Sequence, residues 1–447
     1  MKESAGVPWT GATGRDLLGS VSEHDAPRLV KPVRNQLSLQ PTDLEALVPD
    51  EHPVRAVWAL VERLDLSAFY DEIAARGSTA GRPATDPAVL LALWLFANSE
   101  GVGSARLLER LCDRDAPYRW ICGGVPVNHH TLADFRVEHG KKLDQLMTQV
   151  LAALMKEGVV RLKRVAQDGM KVRASAGASS FRRRQSLERC RAEAEEQVRK
   201  LRREIESDPS ASTKRVQAAK ERAAQARLDA IEAALAEIPG IEEKRKEQAK
   251  KERRKKEDGR EIRVSTTDAE SRVMKMADGG FRPAYNVQFA TDESGFIVGA
   301  DVTNNGTDQP HVVPMLDQIA RRTSATPRDY LIDGGFVTLP NIDVIAGRGA
   351  TPYAPIPKPR KKNVDPHAPK RNDAPAVGAW RVRMGTEDAK RVYVQRGVLA
   401  ERTNADLRVH RGLDRLNVRG LTKVKAVVLL AAICFNVMRL IAGGFSA

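Results

Sequence analysis

Leu162-Lys163-Arg164-Val165-Ala166-Gln167-Asp168-Gly169 is an apolar-leaning run that ends in an acid followed by a glycine. Tyr330-Leu331-Ile332-Asp333-Gly334-Gly335 repeats the pattern. Each predicts a short strand with an aspartate where the strand ends. A third acid, Glu401, sits inside a helical stretch that begins near Ala389, with Arg396 before it and Arg408 after it. Two strand-end aspartates and one helical glutamate are what a divalent-cation site for phosphoryl transfer needs. Hard cations such as Mg²⁺ take oxygen ligands and complete their shell with water and phosphate oxygens. With two ions, one activates the attacking oxygen and the other stabilises the leaving one.

The elements between these acids set the topology. Ala284–Ala290 and Phe296–Val302 alternate as strands around a turn at Asp292–Gly295, which predicts a hairpin. Pro310–Ile319 and Pro340–Ala346 are helical, Thr351–Ile356 is another strand, and 357–379 is a Pro-, Lys- and Asn-rich loop. Two helices, roughly Ala389–His410 and Leu421–Ile441, finish the chain. The order is therefore strand, insertion, strand, strand, helix, strand, helix, strand, loop, helix, helix. Without the insertion, this is the order of an α/β ribonuclease-H-like mixed sheet. In that fold the first and fourth strands lie side by side, which brings Asp168 and Asp333 together, and a packed helix can present Glu401.

The insertion, 181–258, is a separate block. Leu187, Ala194, Val198, Leu201 and Ile205 recur at helical spacing, Asp208-Pro209 breaks the pattern, and Val216 to Ile238 resume it before Pro239-Gly240. Two amphipathic helices around a short break predict an antiparallel coiled-coil hairpin. Its basic tail, Lys244 through Lys256, reads first as a solvated face and second as a phosphate track. Upstream, 1–40 lacks hydrophobic periodicity and reads as a flexible tail, while 41–158 is helical throughout. Pro53 opens one amphipathic segment, Gly81-Arg82-Pro83 is a breaker, Leu90–Ala97 is buried, and Thr131 caps a long helix carrying Phe135 to Leu154. This Arg-rich region suits a DNA-binding domain ahead of a catalytic domain over 159–447.

Bulk properties narrow the partners. The 447 residues allow two or three domains, and a net charge of +15 with a pI near 9.7 favours a polyanion, nucleic acid first. An aromatic content of 5% argues against a single-strand binder built on stacked rings. The cysteines at 112, 122, 190 and 434 have neither metal-ligand nor disulfide spacing and read as structural thiols of a reducing, cytoplasmic compartment. No signal peptide is visible. The apolar run Ala426–Phe435 is half the length of a bilayer span and reads as a core helix, so no membrane partner is expected.

The motifs Glu51-His52-Pro53-Val54-Arg55, Tyr118-Arg119-Trp120-Ile121-Cys122-Gly123-Gly124, Thr131-Leu132-Ala133-Asp134-Phe135-Arg136, Gln167-Asp168-Gly169-Met170-Lys171-Val172, Ser265-Thr266-Thr267-Asp268, Ala284-Tyr285-Asn286-Val287-Gln288 and Ile332-Asp333-Gly334-Gly335-Phe336 stand in this order. In this order the chain resembles the DDE-type transposases of bacterial insertion sequences, most closely the insertion sequence 1182 group, over nearly everything from Leu47 onward. The resemblance implies metal-dependent cleavage at the ends of a mobile element and transfer of the freed 3′-hydroxyl to a target strand. It implies a ribonuclease-H-like fold, Mg²⁺ or Mn²⁺ as two ions, and double-stranded DNA, both element ends and target, as partner. Asp168, Asp333 and Glu401 would be the catalytic and metal-binding acids. Tyr393, Arg396 and Arg408 match a signature around the glutamate and would contact DNA phosphates. Two departures stand out: Arg396 is one residue further from Glu401 than in the commonest spacing, and Arg replaces Lys at 408. Synapsis of two ends implies a homodimer or higher oligomer.

Competing acids and functions are weighed on position. Asp329 lies on the wrong side of its strand, and Glu387 and Asp388 sit at a helix start, where acids commonly serve as caps. Asp268 and Asp308 are polar positions near the sheet, assigned to turns or to support behind the ligands. His129 and His130 are helix-start residues. A non-catalytic regulatory derivative would keep fold and charge but commonly lose one acid, and the trio is intact. A host nuclease of the same fold needs neither the helical N-terminal region nor the insertion.

Overall fold

The computed structural model describes residues 43–76, 83–207, 211–252, 261–359 and 364–443. The expected tail over 1–40, the breaker at Gly81-Arg82, the break at Asp208-Pro209 and the end of the basic run lie outside the described residues.

Seven helices come first: α1 (Pro53–Arg63), α2 (Ser67–Tyr70), α3 (Pro87–Ser99), α4 (Ala105–Arg114), α5 (Ala116–Cys122), α6 (His129–Glu138) and α7 (Gly140–Lys156). Local chemistry starts them. The carboxylate of Asp86 accepts from the Ala88 amide at 2.8 Å and Pro87 pre-sets the first turn of α3, whose side chains are buried from Pro87 to Asn98. The expected long helix capped by Thr131 is two helices. Asn128 supplies the cap, its Oδ1 accepting from the Thr131 amide at 2.9 Å, and the chain leaves helical geometry at His139.

The sheet follows. β1 (Arg164–Arg173) leads through β2 (Phe181–Arg183) into the insertion helices α8 (Arg184–Ser207) and α9 (Ala211–Glu252). β3 (Arg263–Ser265) pairs antiparallel with β2 and closes the insertion at its base. Then come β4 (Arg272–Lys275), β5 (Phe281–Asp292), β6 (Ile297–Thr303), α10 (Val312–Thr323), β7 (Asp329–Leu331), α11 (Leu339–Gly347), β8 (Thr351–Tyr353), α12 (Pro375–Met384), α13 (Glu387–Arg396), a π-helical turn (Gly397–Glu401), α14 (Arg402–Val409) and α15 (Leu421–Ala442).

The six-stranded sheet runs β6-β5-β1-β7-β8, with β4 on the other half of the long β5. β5 pairs antiparallel with β1 and β6, whereas β7 is parallel to both β1 and β8. The first and fourth major strands are thus neighbours, as the element order requires. Asp168, however, is not at a strand end. β1 stays paired with β5 from Val165↔Asp292 to Arg173↔Ala284, while its parallel pairing with β7 stops at Ala166↔Leu331. Beyond Ala166 the β7 side of β1 carries no strand pairing until Arg173 bridges Arg415, so Asp168 sits mid-strand at the point where one neighbour has ended.

Two further expectations change. α9 does not stop at Pro239-Gly240 but runs through it. α8 lies antiparallel beside α9, with Arg202 paired to Glu221 and Arg184 to Glu242, so partner contacts continue past the proline. Leu187, Ala194, Val198, Leu228, Ile231 and Ile238 fill the seam. The 357–379 loop contains the start of α12, where Pro375 occupies the first turn and Trp380 is fully buried with its indole N–H on the Ala354 carbonyl at 3.1 Å.

α15 packs on α3, α6, α7 and β6, so one apolar core runs from the N-terminal helices into the sheet. The helix is long and apolar enough to cross a membrane, but most of its apolar window is buried inside the fold.

Candidate active site

A small apolar cluster apart from the main core fixes the site. Ala166 and Leu331, the paired residues just before the two aspartates, pack with Leu399 and Ala400 of the π turn. Glu401 follows directly. The strands that deliver Asp168 and Asp333 and the turn that delivers Glu401 are therefore held by the same contacts.

Asp168 is mostly buried. Its Oδ1 accepts from the Gly169 amide at 2.9 Å and its Oδ2 from Asn404 Nδ2 at 3.0 Å, with Arg396 Nη1 3.9 Å from Oδ2. Burial pushes its carboxyl up to about 6; Arg396 opposes that, and the charges of Asp333 and Asp308 add to it. Asp333 lies two residues past β7, its Oδ1 accepting from the Gly335 amide at 2.8 Å. Glu401 is exposed, and its Oε1 accepts from Arg396 Nη2 at 3.0 Å.

The extra residue between Arg396 and Glu401 has a structural counterpart. In an α-helix, residues five apart point roughly 140° away from each other. A π turn closes i→i+5 bonds and brings them onto one face. The turn over Gly397–Glu401 thereby lets Arg396 reach Glu401. Tyr393 lies in the same group. Burial raises its hydroxyl's pKa, the nearby Arg396 lowers it, and Asp333 and Asp168 raise it further. Arg408, two turns past Glu401, is half-exposed and makes no ion pair among the described residues.

Asp308 belongs to this site and Asp268 does not. Asp308 Oδ1 accepts from Lys171 Nζ at 3.0 Å, Asn286 Nδ2 at 2.6 Å and Gln288 Nε2 at 2.8 Å. A Cβ placed on Gly335 would lie 3.0 Å from Asp333 Oδ1 and 3.5 Å from Asp308 Oδ2, so the two carboxylates flank one point. Asp268 instead accepts from the Tyr285 hydroxyl at 2.7 Å and the Gly420 amide at 3.2 Å, a bracket between β5 and the start of α15. Among the other acids, Asp329 is tied to Arg164 at 2.9 Å and Arg328 at 3.0 Å, and Glu387 and Asp388 occupy the first turn of α13. His129 does open a helix, and it bonds Glu109 at 2.8 Å, a carboxylate remote in sequence.

Asn404, Lys171, Asn286 and Gln288 were not singled out from the sequence as site residues, yet each carried a signal. Asn404 is three residues past Glu401 and so shares its helix face. Asn286 and Gln288 alternate on β5 opposite Lys171 and Gly169, so these positions share one polar face of the sheet, the face that holds Asp308.

The donor set is of the kind a hard divalent cation takes, three carboxylates in one neighbourhood, with Arg396 opposing the burial and the two neighbouring acids that disfavour the charged Asp168. The acids do not close on one point, since among the described residues no group of three stands at chelating separation and Arg396 lies between Asp168 and Glu401.

A mixed sheet of this strand order, with acids delivered by adjacent parallel strands and a packed helix, defines a ribonuclease-H-like domain with an acidic site. Residues 42–138 match the family Transposase domain (DUF772), and residues 249–437 match the family Transposase DDE domain. The chain belongs to the DDE-type insertion-sequence transposases. The second match contains Asp333 and Glu401 and begins after β1, so Asp168 joins them by geometry alone. No curated protein and no solved structure matches the chain.

Proposed function

We propose that this chain binds the ends of an insertion sequence of the 1182 group and catalyses metal-dependent strand cleavage and strand transfer through Asp168, Asp333 and Glu401. The observation that carries the reading is the shared apolar contact of Ala166, Leu331, Leu399 and Ala400, which holds together the segments that carry three acids from distant parts of a transposase-family chain. Mg²⁺ or Mn²⁺, as two ions, would supply charge neutralisation at the reacting phosphate and a more acidic attacking hydroxyl. The three carboxylates would hold the ions, with Asn404 and the Gly169 amide fixing the Asp168 carboxylate. Lys171, Asn286 and Gln288 lock Asp308 beside Asp333.

In the first step water adds to phosphorus, the bond to the 3′-oxygen breaks, and a 3′-hydroxyl is freed. In the second that hydroxyl attacks a target phosphodiester and displaces its 3′-oxygen. Tyr393, Arg396 and Arg408 would contact the phosphates of the element end. The helical region 41–158 would bind DNA, 159–447 would be the catalytic domain, and the α8–α9 pair would be a coiled-coil hairpin available for assembly into a dimer or higher oligomer. The working compartment would be the cytoplasm, at the nucleoid.

Duplex DNA carrying the element's own end tests this. The full chain should nick it at the boundary with Mg²⁺ or Mn²⁺ and not with EDTA. Binding to the end without nicking under either ion would instead identify a regulatory derivative.

A further inference from the structure

Arg396 is placed unlike an ordinary surface cation. Its side chain is only 16% exposed, while its partner Glu401 is 65% exposed and, among the described residues, makes no other ion pair. One guanidinium nitrogen bonds Glu401 at 3.0 Å and another faces Asp168 at 3.9 Å. The π turn is what makes the first contact reachable. Lys171, another nearby cation, is committed to Asp308 at 3.0 Å. Arg396 is therefore the group that balances two of the three acids.

A guanidinium beside Asp168 and Glu401 weakens a divalent cation's hold on the same two carboxylates, because the positive charges repel and Arg396 already takes one lone pair of Glu401 Oε1. The chemistry that competes best for a guanidinium fork is a phosphodiester, whose two oxygens accept its paired N–H groups. We infer that Arg396 is an internal cation that holds Asp168 and Glu401 until a DNA phosphate draws it away, so that duplex binding and divalent-cation binding are coupled. This rests on the transposase reading of the site and adds an order of events to it: DNA first, cation second. Arg396 is a positioning residue in this role, acting through the two acids. Linkage makes the coupling reciprocal, so the cation also tightens the hold on the duplex.

The test is Mn²⁺ binding to the full chain, read by electron paramagnetic resonance of free Mn²⁺, with and without duplex from the element boundary. Wild type should bind Mn²⁺ weakly alone and more tightly with duplex. Arg396→Gln should bind Mn²⁺ without duplex about tenfold more tightly than wild type, within the usual range for coupled sites. Arg402→Gln removes the same charge beside Glu401 without touching the pair and should leave Mn²⁺ affinity near wild type. Adding Asp168→Asn to Arg396→Gln should abolish the gain. Equal Mn²⁺ affinity in wild type and Arg396→Gln at an Asp168-sensitive site overturns the inference, as does an equal gain in Arg402→Gln. Absence of any Asp168-sensitive Mn²⁺ binding, with or without duplex, overturns the reading of the site itself.

Discussion

Asp168→Asn is expected to end cleavage while making the protein more stable at neutral pH. The two effects share a cause. An aspartate in the unfolded chain titrates near 3.8, whereas burial and the neighbouring acids push Asp168 up to about 6 in the folded one. Between those values the native state holds the proton that the unfolded state has lost. Stability therefore falls as pH rises through that window and stays lower above it. The asparagine removes the buried charge, keeps the shape and can still bond Asn404. The gain above pH 6 should be at most about 3 kcal/mol, shrinking to nothing below the unfolded value. Urea unfolding of both proteins at neutral pH and near pH 4 measures it. Cleavage should fall by on the order of 10³-fold, the scale for losing one electrostatic stabiliser of a transition state. A variant less stable than wild type at neutral pH would mean that Asp168 is a structural acid.

Gly169→Ala should cost both stability and activity. A Cβ there would stand 2.5 Å from Asp308 Oδ1 and 2.5 Å from Gln288 Nε2, closer than atoms pack. Gly169 is mid-strand, so the residue is needed for space and not for a turn. Asp308 has three donors on one oxygen and cannot move without unpairing them. Either the network shifts or β1 does, and both move a carboxylate of the cleft. Overpacking of this kind costs about 1–3 kcal/mol. Activity should fall further than the lost stability explains, when cleavage is compared at a temperature where the variant is fully folded. Full activity in the folded variant would show that the Asp308 network is incidental to the site.

The sequence made the topology legible because the strand pattern and the two Asp-Gly pairs are local signals. Asp168, Asp333 and Glu401 are candidates on the same local signals, whereas Tyr393 and Arg396 are candidates only through the signature of the resemblance. What stayed hidden depends on pairing between distant segments. That β1 continues past Asp168 follows from its register with β5, not from the run 162–169. α9 crosses Pro239 because α8 lies alongside it, and α12 begins inside a polar stretch because Trp380 finds a buried pocket beneath β8. Asp268 and Asp308 looked alike in sequence. Only the folded chain shows that one braces α15 while the other faces Asp333. The spacing of Arg396 looked like a defect in a signature, and the π turn accounts for it.

The most direct test of the central claim is a cleavage and strand-transfer assay on duplex carrying the element's own ends. It compares wild type with Asp168→Asn, Asp333→Asn and Glu401→Gln, with Mg²⁺ and with EDTA. The geometry predicts boundary nicking and joining by wild type with Mg²⁺ alone, lost in all three variants while each still binds the duplex. Cleavage that survives Glu401→Gln would contradict the site by moving its third acid elsewhere.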